Sequence, residues 1–229
     1  VSKASISNIM KESQNGDKDT KSIFKEIGQL GAINKNISDS LVEILSFGVN
    51  KVSTGYAHSL ILKEDGSLWA MGDNFWGQLG DGSWMPKNSP VQIVETGVKD
   101  ISAGGFHSLF LKEDGSVWAM GDNSWGQLGD GSWDSKNTPT QILSSGVEKI
   151  SAHYLHNLII KMDGSTWSFG DNEWGQLGDG TWEAKNAPVQ IFQSDIKDVG
   201  AGGFHSLFLK EDGSLWATGD NEWGQLGDG

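Results

Sequence analysis

The chain contains no cysteine and no arginine. The first absence excludes disulfides and thiolate-ligated metals, and leaves the redox compartment open. The second means that all seventeen basic residues are lysines, set against thirty acids for a net charge of −13. Residues 1–47 hold six lysines and six acids, so the whole excess lies between Gly48 and Gly229. A surface of that sign repels phosphate, and nucleic acid is not an expected partner. Proline is scarce, at four residues, and no apolar run approaches the roughly 20 residues a membrane helix needs, so no membrane insertion is expected. The chain opens on Val1 without a methionine or a signal-like apolar core, which a processed end or a truncation would explain.

Against these absences stand thirty-two glycines and eleven tryptophans. The aromatics supply burial while the glycines punctuate turns, a composition of many short strands rather than of disorder. Trp76, Trp125, Trp174 and Trp223 recur at a spacing of 49, as do His58, His107, His156 and His205. Strict spacing marks an array of one supersecondary unit. Within Gly97–Ser145, VKDISA alternates, SLFL follows His107, and VWAMG follows the turn KEDGS; these read as three strands. Asp-Gly at 65, 114, 163 and 212 sits where a tight hairpin demands positive φ. TPTQIL supplies a fourth strand, with Pro139 placed where an edge tolerates a missing N–H. Four short strands per unit of this size is an all-β propeller blade.

ISAGGFHSLFL from Ile101, VSTGYAHSLIL from Val52 and VGAGGFHSLFL from Val199, each followed by DGSxWxxGDNxxGQLG, resemble the signature of the RCC1 (regulator of chromosome condensation) repeat. The resemblance covers Gly48–Gly229 and implies propeller blades, seven to a ring in the family. The third copy, ISAHYLHNLII, departs from it: His153 replaces the glycine, and would be strained if that glycine has positive φ. The array starts near Gly28, with a partial unit 28–47, units 48–96, 97–145 and 146–194, and an incomplete unit 195–229. Residues 34–47 are of the type the last unit lacks. An N-terminal strand completing the last blade and a longer array cut at Gly229 both fit, and GQLG at both ends favours the second. Residues 1–27 match no repeat and read as one or two short helices.

Recurrence also ranks the candidate sites. An enzyme needs one base beside one substrate, so His58, His107, His156 and His205 are expected to be structural, tying neighbouring blades together. Trp69, Trp118, Trp167 and Trp216 are expected to pack within the core. The aspartates of GDN and GDG suit turn hydrogen bonds better than calcium, so neither metal nor cofactor is expected. The informative positions lie where the units differ inside an otherwise fixed frame. Phe75, Ser124 and Glu173 precede Trp76, Trp125 and Trp174, with Trp223 the last of that series. Trp84, Trp133 and Trp182 precede Met85, Asp134 and Glu183. The fold does not dictate such variation, which marks these residues as candidates for binding a partner. A non-enzymatic protein scaffold is the leading expectation. The alternatives are nucleotide exchange on a small GTPase, which the resemblance implies, and glycan binding, in which tryptophan stacks on a sugar while Asn, Asp and Gln hold its hydroxyls. High internal identity without arginine suggests an AT-rich microbial gene, with a lean toward secretion or the cell surface.

Overall fold

Alternating apolar residues interrupted by Asp-Gly turns produce fifteen strands in the computed structural model, which describes residues 42–229. The expected N-terminal helices and most of the partial unit lie outside the described residues. The first sheet runs β1 (Val49–Thr54), β2 (His58–Lys63), β3 (Leu68–Gly72) and β4 (Lys87–Val94). The second is β5 (Val98–Ala103), β6 (His107–Lys112), β7 (Val117–Gly121) and β8 (Lys136–Leu143). The third is β9 (Val147–His153), β10 (His156–Lys161), β11 (Thr166–Gly170) and β12 (Lys185–Phe192). The fourth has three strands among the described residues, β13 (Ile196–Ala201), β14 (His205–Lys210) and β15 (Leu215–Gly219). Every pairing is antiparallel between chain neighbours, as in propeller blades.

The β6–β7 hairpin shows why the Asp-Gly pairs recur. Gly115 takes φ 78°, and its N–H closes the turn on the Lys112 carbonyl at 3.0 Å. A side chain there would be strained, and none is present. Pro90, Pro139 and Pro188 fall in the outer strands β4, β8 and β12, within the register irregularities that let a residue without an N–H enter a ladder.

Each core cluster is shared by two sheets. Leu60, Leu62, Leu68, Ala70 and Leu79 of the first unit join Val98, Ile101, Ala103, Phe110 and Met120 of the second. Leu109, Leu111, Val117, Ala119 and Leu128 join Val147, Ile150, Ala152, Ile159 and Phe169 in the same way. Each fully buried leucine contributes roughly 1.5–3 kcal/mol, so a blade is stabilised chiefly by its neighbours. The first strands β1, β5, β9 and β13 adjoin one another on the inside, and β4, β8 and β12 form the outer edge. His58 pairs with Gly72, which sets the short β1–β2 turn and the long β3–β4 loop at the same end of the sheet. The same holds in the other sheets, so one end of the array carries all the tryptophan loops.

Candidate binding face

The loop between β7 and β8 is built around one buried amide. Asn123 donates through Nδ2 to Asp130 Oδ1 (3.1 Å), the Ser132 carbonyl (3.0 Å) and the Asp134 carbonyl (3.3 Å), while its Oδ1 accepts the Leu128 N–H at 2.9 Å. Gln127 accepts from the Trp125 N–H at 2.9 Å and donates to Asp122 Oδ2 at 2.8 Å. Asp122 Oδ1 accepts the Ser124 N–H and hydroxyl. Asn74 and Asn172 repeat the pattern in the first and third loops. These amides and Gln78, Gln127 and Gln176 are fully buried. The polar groups that a sugar-binding site would offer to hydroxyls are therefore occupied within the loop itself.

The two aspartates of each loop differ in electrostatics. Burial raises the pKa of Asp73, Asp122 and Asp171 against the hydrogen bonds that lower it. Asp81 is partly buried too, yet bonds from Lys87, Ser83 and Asn74 hold it down at about 2. Lys87, Lys136 and Lys185 pair with Asp81, Asp130 and Asp179 at 2.9–3.6 Å. Turn and lysine thus satisfy the GDG carboxylates, as their place beside glycine suggests.

The residues set into this frame point outward. Trp84, Trp133 and Trp182 are 37 %, 52 % and 70 % exposed, and Met85, Asp134 and Glu183 beside them are exposed as well. Ser124, Glu173 and Trp174 are exposed, whereas Phe75, Trp76 and Trp125 are half-buried. Trp223 is the most open tryptophan, at 89 %. An inner row of aromatics, which sequence reasoning did not single out, lies at the same end. Ring centroids run from Tyr56 to Phe106 (5.5 Å), to Tyr154 (6.4 Å) and to Phe204 (5.1 Å), and Phe204 lies 6.2 Å from Trp174. The available signal is an aromatic just ahead of each repeated histidine, displaced by one place in alternate units.

The repeated histidines lie beneath that row and reach across to the next sheet. His58 Nε2 is 2.9 Å from Ser108 Oγ, whose hydroxyl donates back to the Gln78 carbonyl at 2.7 Å. The serine proton is engaged there, so His58 carries its hydrogen on Nε2 and donates it. His107 donates likewise to Asn157 Oδ1 (2.7 Å), and His156 to Ser206 Oγ (2.9 Å). Nδ1 of all three is buried without a hydrogen-bond partner. Burial lowers their pKa values to about 3, 4 and 3, with neighbouring histidines adding to the effect. At neutral pH these rings are neutral.

The glycine three places before the histidine has a different cause from the one considered. Gly55, Gly104 and Gly202 do not have positive φ; instead a Cβ on Gly104 would lie 2.0 Å from His107 Cε1, with like conflicts at the other two. In the third sheet the strand extends to His153, and the positive φ falls on Tyr154, at 36°. Gly104→Ala is expected to displace the His107 ring and lower stability by about 1–3 kcal/mol, read as a fall in the urea midpoint.

The second tryptophan series meets the core on one side only. Trp69, Trp118 and Trp167 are half-buried, with Trp118 and Trp167 packed against the core clusters, and Trp216 is 52 % exposed. Each indole donates to a serine two residues earlier at 2.9–3.2 Å, and a lysine (63, 112, 161 or 210) lies 4.0–4.8 Å over its ring. The reason is position: β3, β7 and β11 stand one strand from the outer edge, and β15 is the last strand of its sheet among the described residues, so one ring face meets solvent and takes a cation.

Comparison with known proteins places this geometry. A family model described as an RCC1-like domain matches residues 23–229. Among solved structures, yeast RCC1 (Prp20) bound to Kap60 aligns with TM-score 0.70 at 23% identity, over 82% of this chain and 47% of that one. Prp20p from Saccharomyces cerevisiae, in a study of its binding properties to Gsp1p and histones, aligns at 0.68 and 24%, over 82% and 48%. Human WBSCR16 aligns at 0.67 and 25%, over 75% and 47%. The chain thus spans about half the length of these proteins. A search of curated proteins finds no match.

Proposed function

The chain belongs to the RCC1-like domain family, and from that premise we propose that it is a non-enzymatic scaffold whose tryptophan-bearing end docks a protein partner. An RCC1-like fold supports a protein-interaction or exchange-factor type of role in general. The observation that carries the finer reading is the division of labour within the loops. Asn74, Asn123 and Asn172 close the frame internally, while Trp84, Trp133 and Trp182 stand exposed beside residues that differ from loop to loop. A rigid support presenting large rings with variable neighbours is how a few anchors come to dominate an interface. The inner aromatic row extends the apolar surface toward the first strands, and contiguous patches of this kind mark interaction sites. The binding reading is further supported by the histidines, whose Nε2 hydrogens are committed to the next blade.

A photo-crosslinking residue at position 134 tests this reading against one at Glu211, on the hairpin end. Position 134 is expected to capture a defined partner that position 211 does not. The W133A/W182A double variant is expected to weaken that complex about 30-fold or more, as loss of hot-spot tryptophans does. Equal capture at both ends, or affinity within twofold of the parent chain, would remove the tryptophan face from consideration.

A further inference from the structure

The residues that vary between the tryptophan loops change in one direction. At the two variable places the first loop carries Phe75 and Met85, the second Ser124 and Asp134, and the third Glu173 and Glu183. The first loop (72–87) holds two acids and one lysine, the second (121–136) three and one, and the third (170–185) four and one. Apolar character falls along the row while negative charge rises. The second loop has described blades on both sides, and there Trp133 is 52 % exposed with Asp134 exposed beside it.

That charge is not answered within the chain. Lys87, Lys136 and Lys185, the only lysines of the three loops, are each taken by the GDG aspartate of their own loop at 2.9–3.6 Å. Lys185 also lies 3.7 Å from Glu183, whose side chain is nonetheless 86 % exposed. Among the described residues no ion pair reaches Asp122, Asp134, Asp171 or Glu173. Asp122 and Asp171 are buried and accept from N–H, hydroxyl and amide donors. Burial, and then the neighbouring Asp171 carboxylate, raise the pKa of Glu173, as happens to an acid with no cation beside it. The outward indoles are in the same position. Lysines lie over Trp69, Trp118 and Trp167 at 4.0–4.8 Å, but among the described residues none lies over Trp84, Trp133 or Trp182.

We infer that the docked partner presents a protein segment with apolar side chains over the first loop and arginine or lysine over the second and third. The inference rests on the tryptophan end being the docking face, and adds the partner's chemistry and its direction along the row. A cation between the Trp133 ring and the Asp134 carboxylate is attracted by both, and a planar guanidinium can stack on the one while bonding the other. Over Phe75 and Met85 a charge would lose water without gaining a partner, so an apolar residue fits there.

A phage-displayed library of random dodecapeptides, selected on the parent chain, tests this. Enriched peptides are expected to carry an excess of Lys and Arg, with apolar residues gathered at one end. They are expected to bind E173K/E183K at least about tenfold more weakly than the parent. E64K/E113K makes the same change of net charge at the hairpin end and is expected to leave affinity within about twofold, which separates a docked cation from general attraction to an acidic protein. Circular dichroism verifies the fold of each variant. Enriched peptides without a basic excess overturn the inference, as do equal losses in the two charge-reversed variants or a selection that yields no binder. Peptides lacking basic residues whose binding W133A/W182A abolishes would sink this inference and leave the docking face standing. Binding that W133A/W182A leaves intact would sink both.

Discussion

Lowering the pH from 7 to 5 is expected to remove roughly 6 kcal/mol of folding stability, about 2 kcal/mol from each of His58, His107 and His156. Their pKa values are lowered from 6.5 to about 3, 4 and 3 by burial. Between the folded and unfolded values the unfolded chain binds more protons, so this stability is complete above pH 6.5 and is lost as the pH falls toward 4 and 3. The vacant proton site is Nδ1, which lies against Gly55 in His58 and Gly104 in His107 and is buried without a hydrogen-bond partner in all three rings. A charge there would be uncompensated. Asp73, Asp122 and Asp171 act with the opposite sign, since their raised values favour the folded state as they protonate, and they offset part of the loss. The lowered values of Asp81, Asp130 and Asp179 add to the loss only below 3.8. For a domain with about 5–15 kcal/mol in total, 6 is decisive. Urea titrations at pH 7, 6 and 5 measure it, with H107Q as comparison, since glutamine can donate to Asn157 without titrating. H107Q is expected to lose about a third less on acidification, and a profile identical to that of the parent would refute the assignment.

Asn123→Ala is expected to cost about 3–5 kcal/mol, the sum of a buried Leu128 N–H left without an acceptor and the lost Nδ2 donations to Asp130, Ser132 and Asp134. Asn221 makes the same Leu226 and Asp228 contacts in a partly exposed loop, where water replaces the amide. Asn221→Ala is therefore expected to cost less than about 1 kcal/mol. Urea midpoints of the two variants decide the matter: similar losses would mean that the amide acts through local turn preference, and not through burial. A large loss at Asn123 alone would show that the frame's rigidity comes from its neighbours on both sides.

The strands were legible because period-two alternation and Asp-Gly turns report on local backbone geometry, and that geometry is what forms: Gly66, Gly115, Gly164 and Gly213 all take φ between 76° and 85°. Side-chain packing was less legible. The glycine at 55, 104 and 202 looked like a turn residue, yet what excludes a side chain there is a ring three residues on, a contact that no local rule describes. Trp69 and its counterparts were read as core because tryptophan is large and apolar. Their solvent-facing side becomes evident only once they are known to stand one strand from the edge, under a lysine. The candidate positions around Trp133 were visible because they vary inside a fixed frame. The aromatic row from Tyr56 to Phe204 was hidden by its one-place displacement between alternate units, which breaks the alignment that the 49-residue period imposes.

The hydrogen bond returning from each blade to the one before it has a consequence for how the tryptophan end responds to load. Gln127 sits in the second loop, but its carbonyl is held by Asn157 of the third blade, which also receives His107 from beneath the second loop. Gln78 and Gln176 are held in the same way by Ser108 and Ser206. A force applied at Trp125 therefore passes through Gln127 into the following blade and back to its own. Each loop is thereby anchored in part by the blade that follows it, and its position depends on that blade as well as its own.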